Sequence, residues 1–427
     1  MISTLTVMLY GQPIGVISLD RDGFCAFQYT PEFCATGLNP APLMMPPIPD
    51  RIYKFTSLDR DTFSGLPGMI ADSLPDSFGQ ALLNQWLAAQ GRSPGEANAI
   101  EKLSFQGSRC MGALEYVPAR EPSMNESSRI EIDELVGTAQ RALSSKEQFQ
   151  SCLRDEEQAV MDILRIGTSA GGQRAKAIIA INDNTGEIRS GQVEAPTGFE
   201  YWILKFDGFD SDGKPVPPAS FGRREFAFYK CVRAAGINMA ECRLLEENGR
   251  AHFLTRRFDR PGGQKVHMQT LCALSHFDFR RPGAYSYEQA FATMRRLGLG
   301  YEEHKELFRR LVFNVLSINM DDHTKNISFL MGKDGKWTLS PAYDMGFCYN
   351  PNRQWANAHQ MTIAGKRDDI SRKDLLEIAE KNDIRDASSI IDQVDAAVMS
   401  LPEYAAEVLV PEDEVRLMMR FIDEKRK

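Results

Sequence analysis

The sequence predicts an α+β chain: a small β-rich subdomain, then a β-rich lobe, then a helical lobe. Three observations carry this. Short runs near the N-terminus alternate apolar and polar residues between Gly, Pro and Asp turn signals. Further on, a glycine-rich turn and the apolar run "YWILKF" precede a helix-forming run, "RREFAFYKCVRAAGI". From about Leu271 onward helical periodicity dominates. A chain of 427 residues exceeds the usual size of one domain, so several domains are expected.

In order, "LTVMLYG", "PIGVISLD" and "GFCAFQYT" read as a β-meander, followed by the Pro-rich connector "NPAPLMMPPIPD". Asp76 or Ser77 can cap a helix whose apolar face includes Phe78, Leu82, Leu83 and Trp86. The first subdomain is placed at 1–122. The polar stretch "EPSMNESSRI" reads as a linker, and Glu131 to Leu153 as a helix with Leu135, Ala139 and Leu143 at i, i+4, i+8. "DILRIGTSAGGQRAKAIIAIND" reads strand, glycine-rich turn, strand. "ECRLLEENGRAHFLTRRFDR" reads as a hairpin turning at Asn248 and Gly249. The linker helix and β-rich lobe are placed at 123–258, and the helical lobe, broken by a hairpin around Lys333 to Lys336, at 259–427. No repeat or low-complexity tract stands out.

Composition bounds the function. With 43% hydrophobic and 25% charged residues the chain has enough apolar material for a sizeable core. A net charge of -8 argues against a protein that coats nucleic acid with its own surface. The small cluster Arg256, Arg257 and Arg260 is expected as ion pairs or a solvated face. The eight cysteines are scattered, with no C-x-x-C pair, and read as buried free thiols in a reducing compartment. The N-terminus lacks a signal-peptide pattern and no window approaches a membrane span. A cytoplasmic protein with no membrane partner is expected.

The chemistry concentrates in "SINMDDHTKNISFL", Ser317 to Leu330, which packs two aspartates, a histidine, a lysine and an asparagine into the six positions 321–326, between apolar segments. Asp321 and Asn326 stand in the spacing D-x-x-x-x-N. Phosphoryl-transfer enzymes of the protein-kinase type use it because the Asp takes or orients the proton of the attacking hydroxyl while the Asn holds Mg²⁺. The following hairpin can bring Asp344 beside Asn326, giving hard oxygen ligands for that ion. Upstream, Gly167, Gly171 and Gly172 permit close backbone approach to phosphate. Lys205 is a lysine inside an apolar strand, where a kinase lysine would meet the α- and β-phosphates, and Glu225 on the next helix is its candidate partner. With no H-x-x-x-H spacing, His323 reads as a residue that orders the loop by hydrogen bonding rather than as a zinc ligand. Gly-rich hairpin, strand Lys, helix Glu, D-x-x-x-x-N, hairpin and Asp occur in kinase order, so a protein-kinase-like two-lobed fold is expected.

"SLPDSFGQALL", "GTSAGGQRAKA", "WILKF", "REFAFYKCVRAAGI", "FLTRRFDR", "MDDHTKN" and "LSPAYDM" together make the chain resemble the HipA family of serine/threonine-protein kinase toxins from type II toxin–antitoxin systems, over nearly its whole length. The resemblance implies ATP and Mg²⁺ as cofactors, Asp321 as catalytic base, and Asn326 and Asp344 as magnesium ligands. It implies nucleotide contacts from Lys205, Glu225, Phe258, His323 and Lys325 and from the loop residues Ser169, Ala170, Gly171 and Gly172. It also implies autophosphorylation of Ser169 as an off-switch. Three departures stand out: Asp322 occupies a place where glycine is frequent, so either aspartate can be the base, with the spacing favouring Asp321. Thr168 is a second candidate acceptor beside Ser169. "GGQRAK" replaces the "GAQEK" of the best-known members. The implied partners are a protein substrate, with an aminoacyl-tRNA synthetase as leading guess, and a HipB-like helix-turn-helix antitoxin through which alone the chain would reach DNA. A small-molecule kinase of the aminoglycoside type and a catalytically weak antitoxin-binding co-repressor are the alternatives.

Overall fold

Turn chemistry sets the first sheet. Tyr10 and Gly11, with φ of 53° and 80°, join β1 (Thr4–Leu9) to β2 (Gln12–Leu19) in a two-residue turn of the twist that favours hairpins. β3 (Cys25–Tyr29), β4 (Ile52–Tyr53) and β5 (Leu114–Val117) complete an antiparallel sheet in the order β4-β3-β2-β1-β5. At Gly15 a Cβ would lie 2.4 Å from the Gln28 carbonyl oxygen, so only glycine fits that pairing. This structure, a computed structural model, describes residues 2–89, 91–93, 95–120, 129–132, 135–137, 175–209 and 220–426. The glycine-rich loop with Thr168, Ser169, Ala170, Gly171 and Gly172 lies outside the described residues, as do Cys152 and most of the helix expected from Glu131 to Leu153.

Asp76 caps the helix Ser77–Ala89 as expected, accepting from Gly79 N at 2.7 Å. Its other oxygen lies 3.1 Å from Lys176 Nζ, and both side chains are buried. Lys176 opens β6 (Lys176–Asn182), an inner strand of a second antiparallel sheet. The order there is β7-β6-β8-β10-β9, with β7 Glu187–Ser190, β8 Glu200–Lys205, β9 Cys242–Glu247 and β10 Arg250–Arg256. Phe78, Leu82 and Leu83 of the capped helix share one core with Ile179, Ile181, Trp202, Leu204 and Leu254 of that sheet. Asn248 (φ 43°) and Gly249 (φ 78°) make the β9–β10 turn where the sequence places it.

The basic cluster resolves into ion pairs. Arg256 pairs with Glu200, and Arg257 grips Asp259 through both ends of its fork, at 2.9 and 2.7 Å. Arg260 adds a bond to Asp259 at 2.8 Å and donates to the Gly112 and Cys110 carbonyls. Asp259 also accepts from Gly112 N at 2.8 Å. This fully buried knot ties the chain after β10 to the end of the first subdomain.

Contacts divide the chain into two units. The first is Met1–Gly222, Arg243–Met268 and Met331–Gly335; the second is Arg223–Cys242, Gln269–Leu330 and Lys336–Lys427. In the second unit the helix Tyr301–Leu316 buries Leu307, Phe308, Leu311 and Val312 and packs on the helix Ala387–Met399, which contributes Ile390, Ile391 and Val394. The helix Tyr287–Arg296 opens with a capping box between Ser286 and Gln289. Most of the helix Phe221–Ala234 belongs here too, joined to the C-terminal helices by Lys230–Glu407 and Arg224–Glu414. β11 (Ser328–Met331) and β12 (Trp337–Leu339) form the hairpin expected around Lys333 to Lys336.

Seven cysteines are described and all are free, but Cys34 and Cys348 are only half-buried, a departure from the all-buried expectation. Among the described residues no helix is long and apolar enough to cross a membrane.

Candidate active site

The helix Tyr301–Leu316 ends at Ser317, and the chain then turns through Ile318, a buried β-branched residue held at φ 48°. That conformation is costly for such a residue and is kept only where its surroundings impose it. Here Met320 N donates to the Cys348 carbonyl at 2.9 Å, and Asn319 pairs with Cys348 in a parallel bridge. The loop carrying Asp321 is thereby laid against the segment that follows Asp344. Asn319 tightens the same junction. Its amide nitrogen donates to the Asp344 carbonyl at 3.2 Å, and its oxygen accepts from Asp321 N at 3.4 Å.

Asp321 keeps 41% of its side chain accessible, yet its surroundings act on it strongly. Oδ1 accepts from Trp355 Nε1 at 2.5 Å and lies 3.7 Å from His323 Nε2. Partial burial raises its pKa, and the carboxylates of Asp344 and Asp322 add to the rise. His323 and the Trp355 hydrogen bond work in the opposite direction, and the net direction is upward. A carboxyl moved toward neutrality of pH is better matched to accept a proton from a hydroxyl.

Asp322 has a different role. Its side chain is fully buried and lies 3.0 Å from Tyr287 Oη, 2.9 Å from His359 Nδ1 and 2.7 Å from Gln360 N. Burial first, and then the Asp322 carboxylate, hold Tyr287 protonated as a donor. With every oxygen occupied by the protein, Asp322 anchors the loop. Asp321 is the aspartate with an oxygen on offer.

Asn326 donates through Nδ2 to the Asp321 carbonyl at 2.8 Å, which leaves its Oδ1 as the atom able to meet a cation. Asp344 is exposed and held at φ 51°. The donor set is an amide oxygen and a carboxylate, near the Asp321 carboxylate. Hard oxygens fit Mg²⁺ and offer nothing to a soft metal. His323 orders the loop through its backbone, which bonds Asp321 O and Asn326 N. Its ring does not hydrogen-bond as expected: Nδ1 is buried without a partner, and the ring packs between Phe279 and Trp355, with centroids 5.3 and 6.1 Å away. Lys325 Nζ sits 4.9 Å from the Phe279 ring.

The other expected contacts fall as follows. Lys205, in the first unit, is half-buried at the end of β8, opposite Lys176 and Phe253, with Nζ 5.7 Å from the Phe253 ring. Phe258 is half-buried in the turn after β10. Glu225, in the second unit, is half-buried on the helix Phe221–Ala234. Sequence reasoning missed Asn319, Trp355, His359 and Gln360. Asn319 had a signal, being a polar residue two places before Asp321 in an otherwise apolar run; the other three had none.

A β-rich unit and a helical unit, with a D-x-x-x-x-N loop and a hairpin leading to an aspartate, define a protein-kinase-like two-lobed fold behind a small β-rich N-terminal subdomain. A solved structure bears this out: the HipA of a Shewanella oneidensis toxin–antitoxin complex with HipB and operator DNA superposes with a TM-score of 0.66, covering 98% of this chain and 95% of that one at 19% identity. The chain belongs to the HipA family. Residues 168–401 match the HipA-like C-terminal domain and residues 5–117 the HipA N-terminal domain. A Sinorhizobium fredii protein named "Putative kinase Y4dM" is 27% identical over 209 residues, 45% of this chain and 48% of that protein. A Haemophilus influenzae protein named "Putative kinase" is 28% identical over 165 residues, 33% of this chain and 48% of its own length. This chain thus spans about half the length of the curated relatives it matches.

Proposed function

We propose that this chain is an ATP- and Mg²⁺-dependent protein serine/threonine kinase. The observation that carries the reading is the division of labour between adjacent aspartates, Asp322 consumed by structure and Asp321 presented with a raised pKa beside Asn326 and Asp344. In the reaction, a Ser or Thr hydroxyl oxygen of the target forms a bond to the γ-phosphorus of ATP while the bond from that phosphorus to the β,γ-bridging oxygen breaks and ADP departs. Asp321 orients the hydroxyl and accepts its proton. Asn326 and Asp344 would hold magnesium, which when bound supplies positive charge for the phosphates. Lys205 and the glycine-rich loop, Ser169 to Gly172, bind the triphosphate, and Glu225, Phe258, His323 and Lys325 are the further nucleotide contacts.

Further parts of the reading rest on the family. Autophosphorylation of Ser169, or of Thr168, adds about two negative charges where ATP's phosphates bind, and repulsion switches the enzyme off. The toxin role, a HipB-like antitoxin partner and contact with DNA through that partner are supported by the company the Shewanella protein keeps. An aminoacyl-tRNA synthetase is the leading target class. The test is ATP binding by calorimetry with and without Mg²⁺, followed by phosphopeptide mapping. Magnesium-dependent binding and a phosphorylated Ser or Thr are expected; absence of both overturns the reading.

A further inference from the structure

Three consecutive residues of the catalytic loop are each gripped by one short segment, 355–360. Gln360 Nε2 donates to the Met320 carbonyl at 3.0 Å and also to the Trp355 carbonyl. The Trp355 indole donates to Asp321 Oδ1 at 2.5 Å. Gln360 N and His359 Nδ1 meet the two oxygens of Asp322, at 2.7 and 2.9 Å. Two of these grips are on groups that have no part in proton transfer, the carbonyl of Met320 and the buried Asp322. The third falls on the carboxylate that does. The indole is itself held in place: its backbone carbonyl is tied by Gln360, and its ring packs 6.1 Å from His323, which packs on Phe279.

We propose that Trp355 is the positioning residue of the base: its indole N–H occupies Oδ1 of Asp321, fixing the carboxylate's rotation so that Oδ2 is the atom that meets the acceptor hydroxyl. This deepens the kinase reading and rests on it. A carboxylate has several lone-pair sites and turns freely about its last torsion. One donor on one oxygen removes that freedom, and an indole can only donate, so it cannot compete for the acceptor's proton. The same bond favours the ionised form of Asp321 and so works against Asp344 and Asp322. Seating the indole on a segment that also grips residues 320 and 322 makes the base's orientation depend on the order of 355–360.

Selective ¹⁵N labelling of the four indoles gives one resonance per tryptophan in a transverse-relaxation-optimised spectrum. Trp355→Phe, which keeps an aromatic ring and removes the donor, identifies the resonance of Trp355. The proposal expects that resonance to shift in Asp321→Asn, and by more than any other indole resonance. It further expects Trp355→Phe to lower kcat for phosphoryl transfer by about tenfold or more, the loss of one charged hydrogen bond, with KM for ATP unchanged. A fall in kcat with KM for ATP intact is a split that a purely structural role would not produce. An indole resonance indifferent to Asp321→Asn, or wild-type kcat in Trp355→Phe, overturns the proposal. Should Trp355→Phe not fold, Asp321→Asn leaves Trp355 in place and decides by itself whether any indole reports on the base. A wild type with no ATP turnover would count against the kinase reading, while the spectrum would still decide the contact.

Discussion

Replacing Asp322 with alanine should unfold the helical unit more readily, while the same change at Asp321 should not. Asp322→Ala removes a fully buried carboxylate and leaves three buried groups facing it: Tyr287 Oη, His359 Nδ1 and Gln360 N, at 3.0, 2.9 and 2.7 Å. Each buried donor left unsatisfied costs ~1–3 kcal/mol. Tyr287 keeps only the bond that it accepts from Asn314 Nδ2 at 3.0 Å, so its O–H is stranded with the other two donors. The total is about 4 kcal/mol, and at 2–4 °C per kcal/mol for a unit of this size the melting temperature should fall by roughly 8–16 °C. Asp321→Ala removes a part-exposed carboxylate with one close donor, so its melting point should stay within about 3 °C of the wild type. Thermal unfolding followed by far-ultraviolet circular dichroism, with a urea titration as a second measure, reads both. An Asp322→Ala variant melting with the wild type, or an Asp321→Ala variant losing the larger amount, would refute the division of roles.

Three further outcomes are expected. Asp259→Ala strands Arg257 and Arg260 as buried charges, so urea unfolding should show a loss of about 3–5 kcal/mol. Asp321→Asn should stabilise the protein at neutral pH. A carboxyl whose folded pKa lies above its unfolded value destabilises the fold once it is ionised, so the advantage over wild type should shrink as pH falls through the folded pKa and vanish below the unfolded one; melting curves from pH 7 to about 3 check this. Asn326→Ala and Asp344→Ala should weaken calorimetric binding of ATP in the presence of Mg²⁺ by about tenfold or more, yet leave metal-free ATP binding within about twofold of wild type.

Elements whose residues obey local rules were legible in the sequence. The meander, the Asp76 cap and the Asn248–Gly249 turn depend on alternation, capping chemistry and positive φ, all of which are local. The D-x-x-x-x-N loop and the hairpin to Asp344 were legible because their spacing is fixed by one short stretch of chain. What could not be read was long range. Trp355 stands 34 residues from Asp321, and nothing in "NRQWANAHQ" marks an indole that reaches the base. Spacing favoured Asp321 over Asp322 in the sequence; how deeply each is buried is a property of the fold and could not be read there. The basic cluster was read as ion pairs or a solvated face; it is ion pairs, and Arg257 and Arg260 are interior because one aspartate between them satisfies both. The His323 ring was expected to hydrogen-bond, and its aromatic neighbours, Phe279 and Trp355, come from segments on either side of the loop.

The central claim is that Asp321 accepts the proton in phosphoryl transfer from ATP to a protein hydroxyl. Wild type and Asp321→Ala, both dephosphorylated beforehand, are incubated with ATP and Mg²⁺ and mapped by peptide mass spectrometry. The account predicts phosphate on a Ser or Thr of the wild type, with Ser169 first and Thr168 second, and none on Asp321→Ala. Equal phosphorylation of the two, or a wild type that neither binds ATP nor gains phosphate, would contradict it.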